Sequence, residues 1–205
     1  ANHNVKVIVE SGDGCSYGEG GNHFIHNMRR NVDLVHFVHN NQIYGLTKGQ
    51  ASPTSGEDMK TDIQIEGVTA QPLNPLRIAL SSGATFVARS FVGDKEHLSN
   101  IMKKAFEHKG YSLVDILQPC VSFNKINTYQ WYSERVYKIE DHKKSDVNEA
   151  FIKAGEWGDK IPIGVIYENK RKTFRENFPW LDEKEIISER KINPNEKKDL
   201  LNELQ

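Results

Sequence analysis

Residues 5–41 read VKVIVESGDGCSYGEGGNHFIHNMRRNVDLVHFVHNN, and the order of elements in that stretch decides the fold. Val5 to Glu10 is apolar and β-branched, the composition of a buried strand. Ser11 to Gly21 holds five glycines and reads as a loop whose backbone approaches something closely. Gly21 to Asn31 fits a helix, with Phe24, Ile25 and Met28 on one face and Arg29 and Arg30 near its C-terminus. Val32 to Val38 is a second strand. Strand, helix and strand in succession make a βαβ unit, which implies parallel pairing and a right-handed crossover.

Outward from this unit, residues 39–67 have little periodicity and carry Gly45, Gly49, Pro53 and Gly56, the profile of a long functional loop. Pro75 to Ser82 reads as a short helix and Gly83 to Phe91 as a strand. Asp94 to His108 is amphipathic, with Leu98, Ile101, Met102, Ala105 and Phe106 on one face, and Gly110 closes it. Tyr111 to Leu117 is another strand. A helix is expected over Val147 to Trp157 and a strand over Ile161 to Tyr167. The expected fold class is α/β, a doubly wound, mostly parallel sheet. The expected division is a core over residues 1–125 and an extension over 126–205 that packs on the core and on partner subunits. The abrupt start on a strand suggests one piece of a longer or split protein.

The chain has 205 residues, enough for one α/β domain with a sizeable core. Its 27 basic and 28 acidic residues leave a net charge of -1, so no global field points to nucleic acid or to a membrane surface. No apolar run approaches a bilayer span, and Ala1 to Lys6 does not open a signal peptide. Two cysteines, Cys15 and Cys120, make no disulfide framework, and a cytoplasmic, reducing setting is the simplest reading.

In an open parallel sheet, ligands sit beyond the carboxyl ends of the strands. Asp13 follows the first strand and Asn41 follows the second, so the two meet at one sheet edge. An aspartate carboxylate and an asparagine amide oxygen suit a hard cation such as Mg²⁺, which usually shares its shell with a phosphate. The backbone carbonyl of Ile43 would supply a third protein ligand. Gly12, Gly14, Gly18, Gly20 and Gly21 would let backbone N–H groups approach a diphosphate, with the positive end of the helix near Gly21 behind it. Alone, Gly-Asp-Gly is a common turn. The glycine spacing and the absence of an acidic residue ending the second strand argue against a dinucleotide fingerprint, and no P-loop is present.

These residues go further than a class. Gly12-Asp13-Gly14 through Asn40-Asn41 matches the thiamine diphosphate motif. Gly20 to His26, Arg29-Arg30-Asn31, Asn41 to Gln50 and Ser52-Pro53-Thr54 together resemble the β subunit of 2-oxoacid:ferredoxin oxidoreductases. The likeness continues at Pro119 to Asn124, Glu156-Trp157-Gly158 and Ile161 to Gly164. The resemblance implies a thiamine diphosphate-binding fold, specifically the diphosphate-binding domain. It also implies CoA-dependent oxidative decarboxylation of a 2-oxoacid, with electrons passed through iron–sulfur clusters to ferredoxin. An α subunit would carry the glutamate that activates the pyrimidine.

By the same resemblance Asp13, Asn41 and the Ile43 carbonyl are the Mg²⁺ ligands. Gly12, Gly14, Cys15, Gly21, Asn22, His23, Tyr44, Gly45, Leu46 and Thr47 line the cofactor. Leu46 lies near the thiazolium, Lys48 meets the substrate carboxylate, and His23 joins Leu46 and Lys48 in the catalytic set. Cys15 stands where the family often has an aspartate, and a packed thiol is the expectation there. Cys120 corresponds to the last of four cysteines of a [4Fe–4S] cluster. The family's other three lie upstream of the strand at Val5, so a cluster would need cysteines outside this chain. Two alternatives stay open: a non-redox thiamine diphosphate enzyme fragment, and a non-catalytic assembly module.

His23, His26, His36 and His39 lack the pattern of a zinc site. Tyr129, Trp131, Tyr132, Arg135 and Tyr137 interleave aromatic and basic residues, and a subunit interface is expected rather than RNA binding. Lys184 to Lys198 reads as a solvated helix.

Overall fold

A computed structural model describes residues 5–57, 59–181, 198 and 202. Six strands form one sheet in the order β1 (Val7–Gly12), β2 (Leu34–Asn40), β6 (Tyr111–Leu117), β5 (Phe86–Phe91), β8 (Ile161–Glu168) and β7 (Val136–Lys138). The first four run parallel, β8 runs antiparallel to β5, and β7 is parallel to β8. A two-residue hairpin, β3 (Ile43–Tyr44) and β4 (Gln50–Ala51), stands apart. The α/β, mostly parallel reading holds, and β8 brings the region after residue 126 into the main sheet.

Helices cover both faces. On one side α1 (Gly21–Arg30), α2 (Pro75–Ser81) and α5 (Val147–Gly155) bury Phe24, Met28, Leu76, Ala79 and Ala150 against Val38, Val87, Leu113 and Ile166. On the other, α3 (Lys95–Glu107) buries Ile101 and Ala105 against Val35, Phe37, Ala88 and Val114. This double winding follows from the hydropathy: the central strands are apolar on both faces and need cover on both. Local chemistry sets the helix starts. The Asp94 carboxylate accepts from the His97 N–H at 3.0 Å, and Asn74 caps α2 ahead of Pro75. Asn31 ends α1 in the left-handed region, φ 51°. Its side chain accepts from the Tyr111 N–H and the Thr85 hydroxyl and donates to the carbonyls of Arg171 and Lys172.

Four expectations need correction. The first strand is not buried: Val7 and Ile8 are 51% and 50% exposed. It lies at the sheet edge, and among the described residues it pairs only with β2. The glycine-rich stretch is not a loop, because Gly14–Glu19 forms a π-helical turn that leads directly into α1. The aromatic stretch is not simply an interface. Thr128 caps a short helix, α4 (Tyr129–Ser133), which buries Tyr132 against Phe91 at 5.6 Å between ring centroids. Tyr132 is fully buried, and Trp131 is half-buried beneath the Arg135 guanidinium. Cys15, expected to be packed, is exposed. The run from Lys184 to Lys198 lies, Lys198 aside, outside the described residues. Among the described residues no helix is long and apolar enough to cross a membrane.

Candidate functional site

The carboxyl ends of β1 and β2 lie side by side, with Gly12 in register with His39. The residues that follow, Asp13 and Asn41, are brought into contact: the Asn41 N–H donates to the Asp13 carboxylate. Asp13 is buried at the start of the π-helical turn. Its Oδ2 also accepts from the Ser52 hydroxyl at 2.6 Å and the Thr54 hydroxyl at 2.7 Å. Burial pushes its carboxyl above the ordinary value, the bonds from Ser52, Thr54 and Asn41 oppose this, and the negative Asp115 adds to the rise.

Asn41 makes a tight Asx turn, its Oδ1 accepting from the Ile43 N–H at 3.0 Å, while its carbonyl accepts from Asn124 at 3.1 Å. Gln42 between them has φ 59° and donates to the buried Tyr132 hydroxyl at 2.8 Å. This kink turns the chain from β2 into the β3–β4 hairpin. Lys48 at φ 62° and Gly49 at φ 108° close the hairpin. Leu46 at its tip is 99% exposed, so this apolar side chain has no cover from the described residues. Thr47 and Lys48 are exposed beside it.

The glycines divide by role. A Cβ on Gly14 would lie 2.1 Å from the Tyr44 ring and one on Gly18 2.6 Å from its hydroxyl, so these two glycines admit Tyr44. The Tyr44 hydroxyl donates to Glu19 at 3.1 Å; burial, then that bond, pushes it up to about 12. Gly21 and Gly45 face open space. Among the described residues no side chain caps the start of α1, where Asn22 and His23 are exposed. The helical N–H groups nearest Asp13 are those of the π-helical turn, seven residues earlier than the sequence placed a helix start.

Among the described residues no group of three or more His, Cys, Asp and Glu side chains is arranged to hold a metal. His36 in particular is buried, with Nε2 bonded to Ser11 and Ser16 and Nδ1 to Tyr111, and burial holds it down at about 4. An ion at Asp13 would therefore rely on amide and carbonyl oxygens and on the ligands of whatever it accompanies. That set fits Mg²⁺: the donors are all oxygen, and the buried carboxylate beside a second negative group lacks a cation of its own among the described residues.

Cys120 follows β6 at the same edge, half-buried against Ile43 and Met59. Burial would raise its thiol, but N–H groups of Phe123, Asn124 and Ser122 and the charge of Lys125 outweigh it and hold the thiol below its ordinary value. Cys15 and Cys120 are both free.

Sequence reasoning missed a buried polar chain behind Asp13. Thr54 donates to Asn40 at 2.9 Å, and Asn40 to Asp115 at 3.0 Å. Asp115 also accepts from Tyr17 at 3.0 Å and from Arg89 at 3.4 Å. The signal was present: Arg89 and Asp115 are charges inside apolar strands, which must pair to be buried.

Two protein-family models match the chain, one for each part of it. The C-terminal TPP binding domain of thiamine pyrophosphate enzymes matches residues 1–116. The C-terminal region of the pyruvate ferredoxin oxidoreductase beta chain matches residues 120–183. The 2-oxoacid:ferredoxin oxidoreductase subunit beta of Saccharolobus solfataricus is 44% identical over 182 residues, 83% of this chain and 60% of that protein. The 2-oxoglutarate oxidoreductase subunit KorB of Mycobacterium tuberculosis is 44% identical over 124 residues, 60% of this chain and 33% of that protein. A solved 2-oxoglutarate:ferredoxin oxidoreductase from Magnetococcus marinus, with 2-oxoglutarate, coenzyme A and succinyl-CoA bound, superposes with a TM-score of 0.85 at 36% identity. The match covers 96% of this chain and 67% of that one. The chain thus spans about 60% of the length of the first curated relatives it matches.

Proposed function

The chain belongs to the β subunits of 2-oxoacid:ferredoxin oxidoreductases, and from that premise we propose that it forms the metal-and-diphosphate half of a thiamine diphosphate site in a CoA-dependent 2-oxoacid oxidoreductase. The observation that carries this reading is the buried Asp13 carboxylate at the end of β1, in contact with Asn41 from the end of β2. Asp13, Asn41 and the Ile43 carbonyl would hold Mg²⁺. Gly12, Gly21, Asn22 and His23 would surround the diphosphate, Gly14 makes room for the Tyr44 ring, and Cys15, Tyr44, Gly45 and Thr47 would complete the lining.

When bound, thiamine diphosphate supplies the electron sink for decarboxylation. The chain's own residues bind and orient. Ser52 and Thr54 fix the Asp13 carboxylate through its Oδ2, which would hold it in place for the ion. The kink at Gln42 presents the Ile43 carbonyl. Leu46 excludes water from the reacting centre, and Lys48 offers its ammonium to the substrate carboxylate. Cys120 would give one ligand to a [4Fe–4S] cluster whose other cysteines lie outside this chain, with ferredoxin as acceptor. Residues 1–125 would carry the cofactor contacts, and the region from residue 126 on, whose β7 and β8 complete the same sheet, would meet partner subunits. An α subunit would supply the activating glutamate. The setting is cytoplasmic, in line with two free cysteines.

The test is Mg²⁺–thiamine diphosphate binding, read by circular dichroism, in the chain assembled with its partner. Asp13→Ala is expected to weaken binding by about a hundredfold, the loss of a buried charged ligand. Tight binding untouched by the substitution overturns the reading. Iron absent after anaerobic purification with all partner chains would leave a non-redox enzyme.

A further inference from the structure

Asp115 lies on β6, and its side chain is fully buried. A charge so placed needs a counter-charge, and Arg89 supplies it, its Nε 3.4 Å from Asp115 Oδ2. The other carboxylate oxygen serves different partners. Oδ1 accepts from the Tyr17 hydroxyl and from Asn40 Nδ2, both at 3.0 Å. Each of these donors belongs to one arm of the candidate site. Tyr17 sits on the π-helical turn that begins at Asp13, and Asn40 ends β2 immediately before Asn41. One carboxylate on a third strand thus holds both chain segments that carry the proposed metal ligands.

The bond to Asn40 also sets a polarity. An ionised carboxylate only accepts, so Asn40 must give its Nδ2 to Asp115 and turn its Oδ1 the other way. There the Thr54 hydroxyl lies 2.9 Å from Asn40 Oδ1 and 2.7 Å from Asp13 Oδ2. Asp115, Asn40, Thr54 and Asp13 are all buried, and hydrogen bonds linked in series away from water reinforce one another. A neutraliser of Arg89 alone would need none of these contacts.

We propose that Asp115 is a positioning residue for the metal: through Tyr17 on one side and through Asn40 and Thr54 on the other, it sets how the Asp13 carboxylate and Asn41 stand to each other. This rests on the Mg²⁺–thiamine diphosphate reading above. Such a role has a chemical signature. Mg²⁺ demands near-octahedral geometry with bonds of about 2.1 Å, whereas Ca²⁺ accepts longer and less regular ones. A framework that fixes the spacing of two ligands therefore favours Mg²⁺ over Ca²⁺, and loosening it costs Mg²⁺ more.

The test uses the chain in the complex in which it is isolated, stripped of divalent metal with EDTA. MgCl₂ or CaCl₂ is then titrated in at saturating thiamine diphosphate, with binding read by circular dichroism. Asp115→Asn removes the obligate acceptor but leaves Arg89 without its counter-charge and puts the fold at risk. Asn40→Leu keeps the Arg89–Asp115 pair and cuts the relay at its middle. Both variants are expected to weaken Mg²⁺ about tenfold or more, the scale of losing a partner behind a metal ligand. Ca²⁺ is expected to weaken less, so the preference for Mg²⁺ falls. Leu113→Ala, on the same strand, loosens the core without removing any of these hydrogen bonds and is expected to leave the preference unchanged. A preference that keeps its native value in Asn40→Leu overturns the proposal, as does one that falls equally in Leu113→Ala. Loss of binding in Asp13→Ala beside an unmoved preference in Asn40→Leu rejects the positioning role alone, whereas binding untouched by Asp13→Ala rejects the cofactor reading itself.

Discussion

β1 and β6 make an instructive pair. β1 carries Val7, Ile8 and Val9 in succession and lies largely in solvent. β6 carries Asp115 at its centre, and all seven of its residues are buried. Hydropathy alone predicts the reverse order. Position in the sheet decides it. β6 has β2 on one side and β5 on the other, with helices on both faces, while β1 has a single neighbour and an open edge among the described residues. A charge tolerates the centre only because Tyr17, Asn40 and Arg89 meet it there. The central strands thus carry the polar framework behind the candidate site, and the edge strand carries apolar surface that the described residues leave uncovered.

The contrast gives an order of expected effects, each measured by urea unfolding of the full chain. Arg89→Met leaves Asp115 without its cation in the sheet centre and is expected to cost about 3–5 kcal/mol. A loss under about 1 kcal/mol would show that Tyr17 and Asn40 alone carry that charge. Leu113→Ala on β6 opens a cavity in a fully buried position and is expected to cost about 3 kcal/mol.

His36 on β2, which ties the end of β1 to the centre, gives a pH test. Its imidazole is held neutral by burial, at about 4 against 6.5 when exposed. Between these values the unfolded chain binds a proton that the folded chain refuses, so stability falls as pH drops through that window. The loss is up to roughly 3 kcal/mol. The difference in pH dependence between the native chain and His36→Asn isolates this component, and parallel curves would sink the assignment. Smallest is Ile8→Ala on β1, expected to cost under about 1 kcal/mol because half the side chain is already in water. A cost near that of Leu113→Ala would mean that the edge is buried in solution.

Much of this architecture was legible in the residues. The βαβ unit, the strand Tyr111–Leu117 and the helix opening at Asp94 follow from periodicity and capping, which are local properties. The meeting of Asp13 with Asn41 was legible because parallel register places successive strand ends together. Three features were not legible, and each depends on tertiary placement. β1 looks like a core strand until its place in the strand order is known. Gly14 and Gly18 look like ligand-facing glycines until Tyr44 is seen to occupy the space above them. Ser52 and Thr54 sit about forty residues from Asp13 in an aperiodic segment, and nothing local marks them as its partners.

Asn31 has a consequence in time rather than in space. Its side chain joins Thr85 just before β5, Tyr111 of β6 and the segment at residues 171–172, the last of these 140 and 141 positions away along the chain. The helix it terminates forms from neighbouring residues, early and cheaply in loop entropy. The amide itself has nothing to bind until the central strands are paired and the far end of the chain has returned. Asn31 therefore acts as a closing stitch, satisfied only in a chain that has completed its fold, and it makes the end of α1 a natural reporter of that last step.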